Sequence, residues 1–403
     1  MLLWAGTIAC AAASTGGTVV ISAADPQLQY VGRFADGASA STKLFDHPGS
    51  EIRARLQLST AANATVSLAQ RHSPVPPNPQ GNTKNSGYEA NAFVVFVDGV
   101  RQGAGRHNST FVTTAAQKDD VTYDFPLTGA GGAPLAAGTH DVRVVKATEA
   151  DWNGGSPAPN YVEFSGFKLA GPAAAAAAAA APLVARAVAP PPLPARKIEF
   201  LGDSITAGYC NECKDGPALD GDHGQQFLAS WDYQIGELLS AQVHTVAWSG
   251  LGMVHNCCGG NTTMPSIFGR TLATVNRDAT WDWSGWIPDA LVVNLGTNDG
   301  KTVLDPKYKY VETYEQLVMD AAAHYGPDLH VFLACGPMSE TYCAPVQQVL
   351  AAVSAKGVKA HFLDQRGFLN GTFGPGCCGH PGIEVDTAMG QHGAAAIKDV
   401  LGW

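Results

Sequence analysis

The chain has 403 residues, of which 45% are hydrophobic and 15% charged, and its formal net charge is −10. That length exceeds one typical domain and suits two, and the apolar share supports packed cores and excludes wholesale disorder. An acidic balance with no lysine- or arginine-rich tract argues against nucleic acid as a partner, and no apolar run is long enough to span a bilayer.

The opening MLLWAGTIACAAASTGG has the apolar stretch and small residues of a secretory leader, without the usual basic start, so residues 1–24 are a candidate signal peptide. Glycosylation sequons at Asn63, Asn108, Asn261 and Asn370 agree with an extracellular destination. Residues 25–170 read as strands. Ile52, Ala54, Leu56 and Leu58 alternate with Arg53, Arg55 and Gln57, and Val121, Tyr123 and Phe125 alternate with polar residues. Residues 93–97 form an apolar run closed by a hairpin signal at Asp98 and Gly99, and 142–145 and 161–169 are further strands. Short strands without a long helical period predict a β-sandwich. The alanine run at 173–181 and the prolines at 190–194 predict a linker over 171–195.

The pattern then changes. Over 196–403, apolar strands at 197–201, 243–248, 290–294 and 330–334 alternate with helices at 231–239 and 346–353, and Tyr314, Leu317, Val318, Ala321 and Tyr325 recur at helical spacing. This predicts an α/β class, with a parallel sheet covered by helices on both faces in three α/β/α layers. Ligands in such sheets bind beyond the carboxyl ends of the strands.

Four segments fall at that edge. Gly202, Asp203 and Ser204 follow the first strand. Ser249 and Gly250 follow the second, and Gly296, Asn298 and Asp299 the third; His380 precedes Pro381 near the C-terminus. Each alone fits a plainer role: a helix N-cap serine, an ordinary turn glycine, an Asx turn or a surface histidine. Together they supply what acyl transfer needs: Ser204 as nucleophile and His380 as base. The Ser204 N–H, the Gly250 N–H and the Asn298 side chain are the oxyanion donors. No metal or cofactor is required.

On these blocks the chain resembles the SGNH (GDSL-like) hydrolase superfamily, and most closely carbohydrate esterase family 2. The phrases RKIEFLGDSITAGY, WSGLGM, TMP, RTL, WIPDALVVNLGTND and GPM carry that resemblance, and QYVGRF resembles the start of that family's sandwich. The resemblance implies a jelly-roll sandwich before an SGNH domain. It also implies an acetyl esterase acting on acetylated xylan or glucomannan; with the leader and sequons, a secreted protein is expected, and a monomer. The superfamily usually has an Asp three residues before its histidine, where this chain has Cys377. A Ser–His dyad is therefore expected, with a backbone carbonyl holding the His380 Nδ1–H, and Asp364, Glu384 and Asp386 compete as a third acid.

Eight cysteines lie in the second half: Cys210, Cys213, Cys257, Cys258, Cys335, Cys343, Cys377 and Cys378. The spacing of Cys210 and Cys213 would suit zinc, but the adjacent pairs favour disulfides flanking the pocket, with pairing left open. Tyr209, Trp248 and Trp286 are candidates for sugar contact. The alternatives are a lipid or thioester hydrolase on the same fold, and a catalytically weak polysaccharide-binding protein.

Overall fold

The computed structural model describes residues 13–14, 17–72, 91–103, 110–113, 121–150, 160–171, 182–212, 224–275, 280–369 and 374–403. The first half is two antiparallel sheets packed face to face. One has its strands in the order 13–14, Leu183–Val188, Glu51–Leu58, Gly138–Lys146, Ala92–Val97 and Phe111–Val112. The other runs Val121–Leu127, Asn63–His72, Asn160–Ala170, Lys43–Phe45, Ala35–Asp36. The period-two pattern explains the packing. Ile52, Ala54, Leu56 and Leu58 are buried in a core with Phe45, Phe93, Phe164 and Phe167 from both sheets. The intervening residues face outward, where Arg55 makes a bidentate pair at 2.7 Å with Asp141, directly opposite on the neighbouring strand.

Two expected boundaries are corrected. Val19–Ser22 lies inside the candidate leader, yet it pairs with Asn160–Ala170 and buries Val19 and Ile21. Leu183–Val188 lies inside the expected linker, yet it pairs antiparallel with Glu51–Leu58. It buries Leu183, Ala185 and Ala187 while Val184, Arg186 and Val188 turn outward. Small alanines on the buried face and prolines just beyond disguise a period-two strand. The alanine run 173–181 lies outside the described residues.

The second half is a parallel five-stranded sheet in the order Ala241–Ala247, Arg196–Gly202, Ala290–Asn294, His330–Cys335, Lys359–Asp364, which is 2-1-3-4-5 in chain order. Ile198 and Phe200 point to one face, against Trp231 and Ile235 of the Trp231–Leu239 helix and Val385 and Met389 of the Ile383–Leu401 helix. Leu201, Leu291 and Val293 point to the other, against Tyr314 and Val318 of Tyr310–Tyr325 and Val346 of Cys343–Ala355. Helices thus cover both faces, as expected. This strand order reverses direction between the first and third strands, which opens a crevice at their carboxyl ends.

The two halves share buried polar contacts. Arg33 of the sandwich donates to Glu199 Oε1 at 2.8 Å and to the carbonyl of Arg270 at 2.8 Å, while the Tyr325 hydroxyl donates to Glu199 Oε2 at 2.6 Å. Asp46 accepts from the Ala273 N–H at 3.0 Å and the Thr274 N–H at 2.9 Å. Among the described residues no helix is long and apolar enough to cross a membrane.

Candidate active site

The first strand ends at Gly202, and a four-residue helix, Ser204–Ala207, begins immediately. Asp203 caps it: its Oδ1 accepts the Ile205 N–H at 3.0 Å. Ser204 is therefore held at the crevice in the helix's first position. His380 reaches it from the C-terminal segment. Its Nε2 lies 2.8 Å from Ser204 Oγ and its Nδ1 lies 3.1 Å from the Cys378 carbonyl oxygen. A carbonyl only accepts, so Nδ1 carries the proton and Nε2 presents its lone pair to the serine hydroxyl. Burial pushes the imidazole pKa below its usual value, and the hydrogen bond to Cys378 pushes the other way. Burial thus favours the neutral imidazole. The Tyr209 ring meets the imidazole edge-on at 4.9 Å.

A disulfide ties this turn to the Ser204 helix. Cys378 bonds to Cys210, two residues beyond the Gly208 cap of the serine helix. Cys257 bonds to Cys258, and Cys335 to Cys343. Cys213 and the Cys377 side chain lie outside what is described. The sulfur of Cys210 is thus already engaged, which removes it from the zinc alternative.

The structure brings none of the three candidate acids to His380. Asp364 makes a bidentate pair with Arg366 at 2.8 and 2.6 Å. Glu384 is exposed on the first turn of the Ile383–Leu401 helix. Asp386 is buried and accepts from Asn211 Nδ2 at 3.0 Å; burial first, then the nearby Asp232 charge, raises its pKa well above the carboxylate range. Its place is in a buried structural hydrogen bond, away from His380.

Seven of the eight backbone N–H groups from Trp248 to His255 have acceptors among the described residues. Trp248 donates to the Gly202 carbonyl, Ser249 to Glu149, Leu251 to the Trp248 carbonyl, and Gly252 to Asn256 Oδ1. Met253, Val254 and His255 all donate to Asp299. The eighth, on Gly250, has no acceptor among the described residues, nor has the Ser204 N–H. Gly250 has φ +80°, and an added Cβ would sit 3.1 Å from the Cys257 sulfur, so both conformation and space select glycine. Asn298 departs from expectation: its Nδ2 donates to Asp203 Oδ2 at 3.1 Å and to the Leu251 carbonyl at 2.9 Å, so an oxyanion would have to displace one of them. Burial, aided by the charges of Asp299 and Glu149 and opposed by the Ile205 N–H, raises the Asp203 pKa to about 7.

Two of the three sugar-contact candidates are relocated. Trp248 is 1% exposed and packs in the core beneath the sheet. Trp286 stacks on His244 at 3.5 Å and donates to Gln242 at 3.2 Å, beside the start of its strand and away from the carboxyl ends. Closeness in sequence to a motif does not fix the side of the strand on which a residue falls. Tyr209 alone touches the site. The exposed Cys257–Cys258 pair lies at the rim beside Gly250. Glu149, which accepts from both polar groups of Ser249 beside Gly250, is not singled out from sequence, where a lone glutamate between Thr148 and Ala150 gives no signal.

Residues 200–379 match the GDSL-like Lipase/Acylhydrolase family. The chain is similar to the Cellulase/esterase CelE of Acetivibrio thermocellus, 32% identical over 67% of this chain and 31% of that protein; it thus spans about a third of that relative's length. It is also similar to an Acetylxylan esterase / glucomannan deacetylase of Cellvibrio japonicus, 26% identical over 75% of this chain and 69% of that protein. Among solved structures, a family two carbohydrate esterase from Clostridium thermocellum in complex with cellohexaose superposes with a TM-score of 0.72 at 26% identity, covering 93% of this chain and 99% of that one. A family two carbohydrate esterase from Cellvibrio japonicus shares the fold, with a TM-score of 0.71 at 19% identity and coverage of 96% and 99%.

Proposed function

We infer, from a second half that belongs to the GDSL-like lipase/acylhydrolase family, that this chain is a serine esterase removing acetyl groups from a carbohydrate. Its substrates are of the acetylated xylan or glucomannan type, and it acts outside the cell. The observation that carries the reading is His380 Nε2, 2.8 Å from Ser204 Oγ, beside two N–H groups that have no acceptor among the described residues. The similarity to carbohydrate esterases over both halves points to the sugar.

The steps follow from that geometry. His380 Nε2 takes the Ser204 hydroxyl proton as Oγ bonds to the ester carbonyl carbon. Charge gathers on the carbonyl oxygen and is met by the Ser204 and Gly250 N–H groups, with Asn298 joining if it releases the Leu251 carbonyl. Each such donor is worth about 10²–10³ in rate. The tetrahedral adduct collapses, the sugar oxygen leaves with the proton from Nε2, and the acetyl group stays on Oγ. Water then attacks the acetyl-enzyme by the same route. The imidazolium formed in each step is met at Nδ1–H by the Cys378 carbonyl dipole in place of a carboxylate.

The test is acetate release from acetylated xylan and glucomannan by the wild type and by Ser204→Ala. Release that vanishes in the variant supports the reading. A wild type that leaves both polymers intact but cleaves long-chain esters or thioesters refutes the carbohydrate assignment.

A further inference from the structure

Glu149 belongs to the sandwich half, three residues past the Gly138–Lys146 strand, yet its carboxylate is buried against the turn that follows the second catalytic strand. Oε1 accepts the Ser249 hydroxyl at 2.6 Å, and Oε2 accepts the Ser249 backbone N–H. Its own main chain is anchored, because the buried Lys146 ammonium donates to the carbonyls of Thr148 and Glu149 at 2.6 Å. Ser249 immediately precedes Gly250. A glycine at φ +80° has wide conformational freedom, so the peptide carrying the Gly250 N–H can be aimed only by its neighbours. On one side Cys257 N–H donates to the Gly250 carbonyl at 3.1 Å; on the other, Glu149 grips both polar groups of Ser249.

We propose that Glu149 is a positioning residue for acyl transfer: by clamping Ser249 it aims the Gly250 N–H at the developing oxyanion, so that the sandwich half completes the active site of the other half. This rests on the Gly250 N–H acting as an oxyanion donor. A buried carboxylate is poorly suited to simple filling. Its charge raises the pKa of nearby Asp203, an unfavourable arrangement that a neutral side chain of similar shape would avoid. Two-point reception of one residue's N–H and O–H, by contrast, fixes a turn in a way that an apolar contact does not.

The experiment uses the full chain carrying Glu149→Gln, Ser249→Ala, both together, or Ser204→Ala. Glutamine keeps the volume and one acceptor oxygen but turns an amide toward a donor. Measured are kcat and KM on p-nitrophenyl acetate, the urea midpoint, and inhibition by methylboronic acid, which forms a tetrahedral adduct on Ser204. For Glu149→Gln, kcat should fall about ten- to a hundredfold, part of what loss of a whole donor removes. KM should stay within about threefold and boronate affinity should fall in step with kcat/KM. Ser249→Ala, which keeps the N–H clamp, should lose less, and the double variant should be no worse than Glu149→Gln, since both act through one grip. Glu149→Gln with wild-type kcat and boronate affinity overturns the proposal, as does a loss wholly accounted for by a lower folded fraction. If Glu149→Gln misfolds, Ser249→Ala decides by the same kcat and boronate readings. Wild-type turnover by Ser204→Ala would instead refute the underlying site assignment, whereas an inactive Ser204→Ala beside a fully active Glu149→Gln overturns only this inference.

Discussion

Replacing Cys210 and Cys378 together by serine separates two roles of their disulfide. The bond spans 168 residues of sequence. Loop-closure entropy for a loop of that length sets a ceiling of about 5 kcal/mol on the stability it confers. Cys378 sits at φ +60°, where a side chain other than glycine's is strained by about 1–2 kcal/mol, and cutting the bond lets that relax. A net loss of about 3–4 kcal/mol is the expected result in urea denaturation. The catalytic effect is distinct. The carbonyl that holds the His380 Nδ1–H is Cys378's own, so freeing this residue frees the imidazole. Displacing a catalytic group by about 1 Å lowers the rate about a hundredfold, so kcat on p-nitrophenyl acetate should drop ten- to a hundredfold at a temperature where circular dichroism shows the variant folded. A folded double variant, with loss of both thiols verified by mass, that keeps kcat within twofold would refute the idea that this bond orients the base.

Two further outcomes are expected. Asp364→Ala and Glu384→Ala should leave kcat near wild type. Asp386→Ala should also, while losing about 1–3 kcal/mol of stability because Asn211 Nδ2 loses a buried acceptor; a hundredfold fall in kcat in any of the three would restore a triad. Asp232, wholly buried and accepting from Thr245 at 2.8 Å, has its pKa raised from 3.8 to about 7, chiefly by burial. Its folded pKa exceeds its unfolded one, so the stability it lends is full below about pH 4 and lost as pH rises through 7. Urea midpoints compared between pH 5 and pH 8 should therefore fall less in Asp232→Asn than in the wild type; equal falls would contradict the shift.

Much of this was legible in advance because the signals were local. The apolar strands of the parallel sheet announce themselves, and the strand-end positions of Ser204, Gly250 and Asn298 follow from them. The structure places the Gly250 N–H and His380 at the same strand edge, with His380 Nδ1 against the Cys378 carbonyl; the roles expected of them from sequence are what the Ser204→Ala and acid variants test. The Ile383–Leu401 helix was not legible, because part of its packing face is Gly390, Gly393 and Ala394 rather than large apolar residues. A Cβ on Gly393 would come within 2.5 Å of Ile235 Cδ1, so this face is small to let two helices approach, and it sends little hydrophobic signal. Glu149 was illegible for another reason: its partner Ser249 is 100 residues away, and nothing in either neighbourhood announces the other. The strand Leu183–Val188 shows a third kind of failure, in which composition on either side overrode a correct period.

The Arg33–Glu199 pair bears on how separable the two halves are. Both side chains are almost wholly buried, one in each half. Transplanting residues 196–403 behind an unrelated module would strand the Glu199 carboxylate with Tyr325 alone, a defect of about 3–5 kcal/mol for a broken buried pair, and Ser249 would lose its acceptor as well. The two halves are thus energetically coupled at their junction, and the second is expected to lose stability behind a foreign partner.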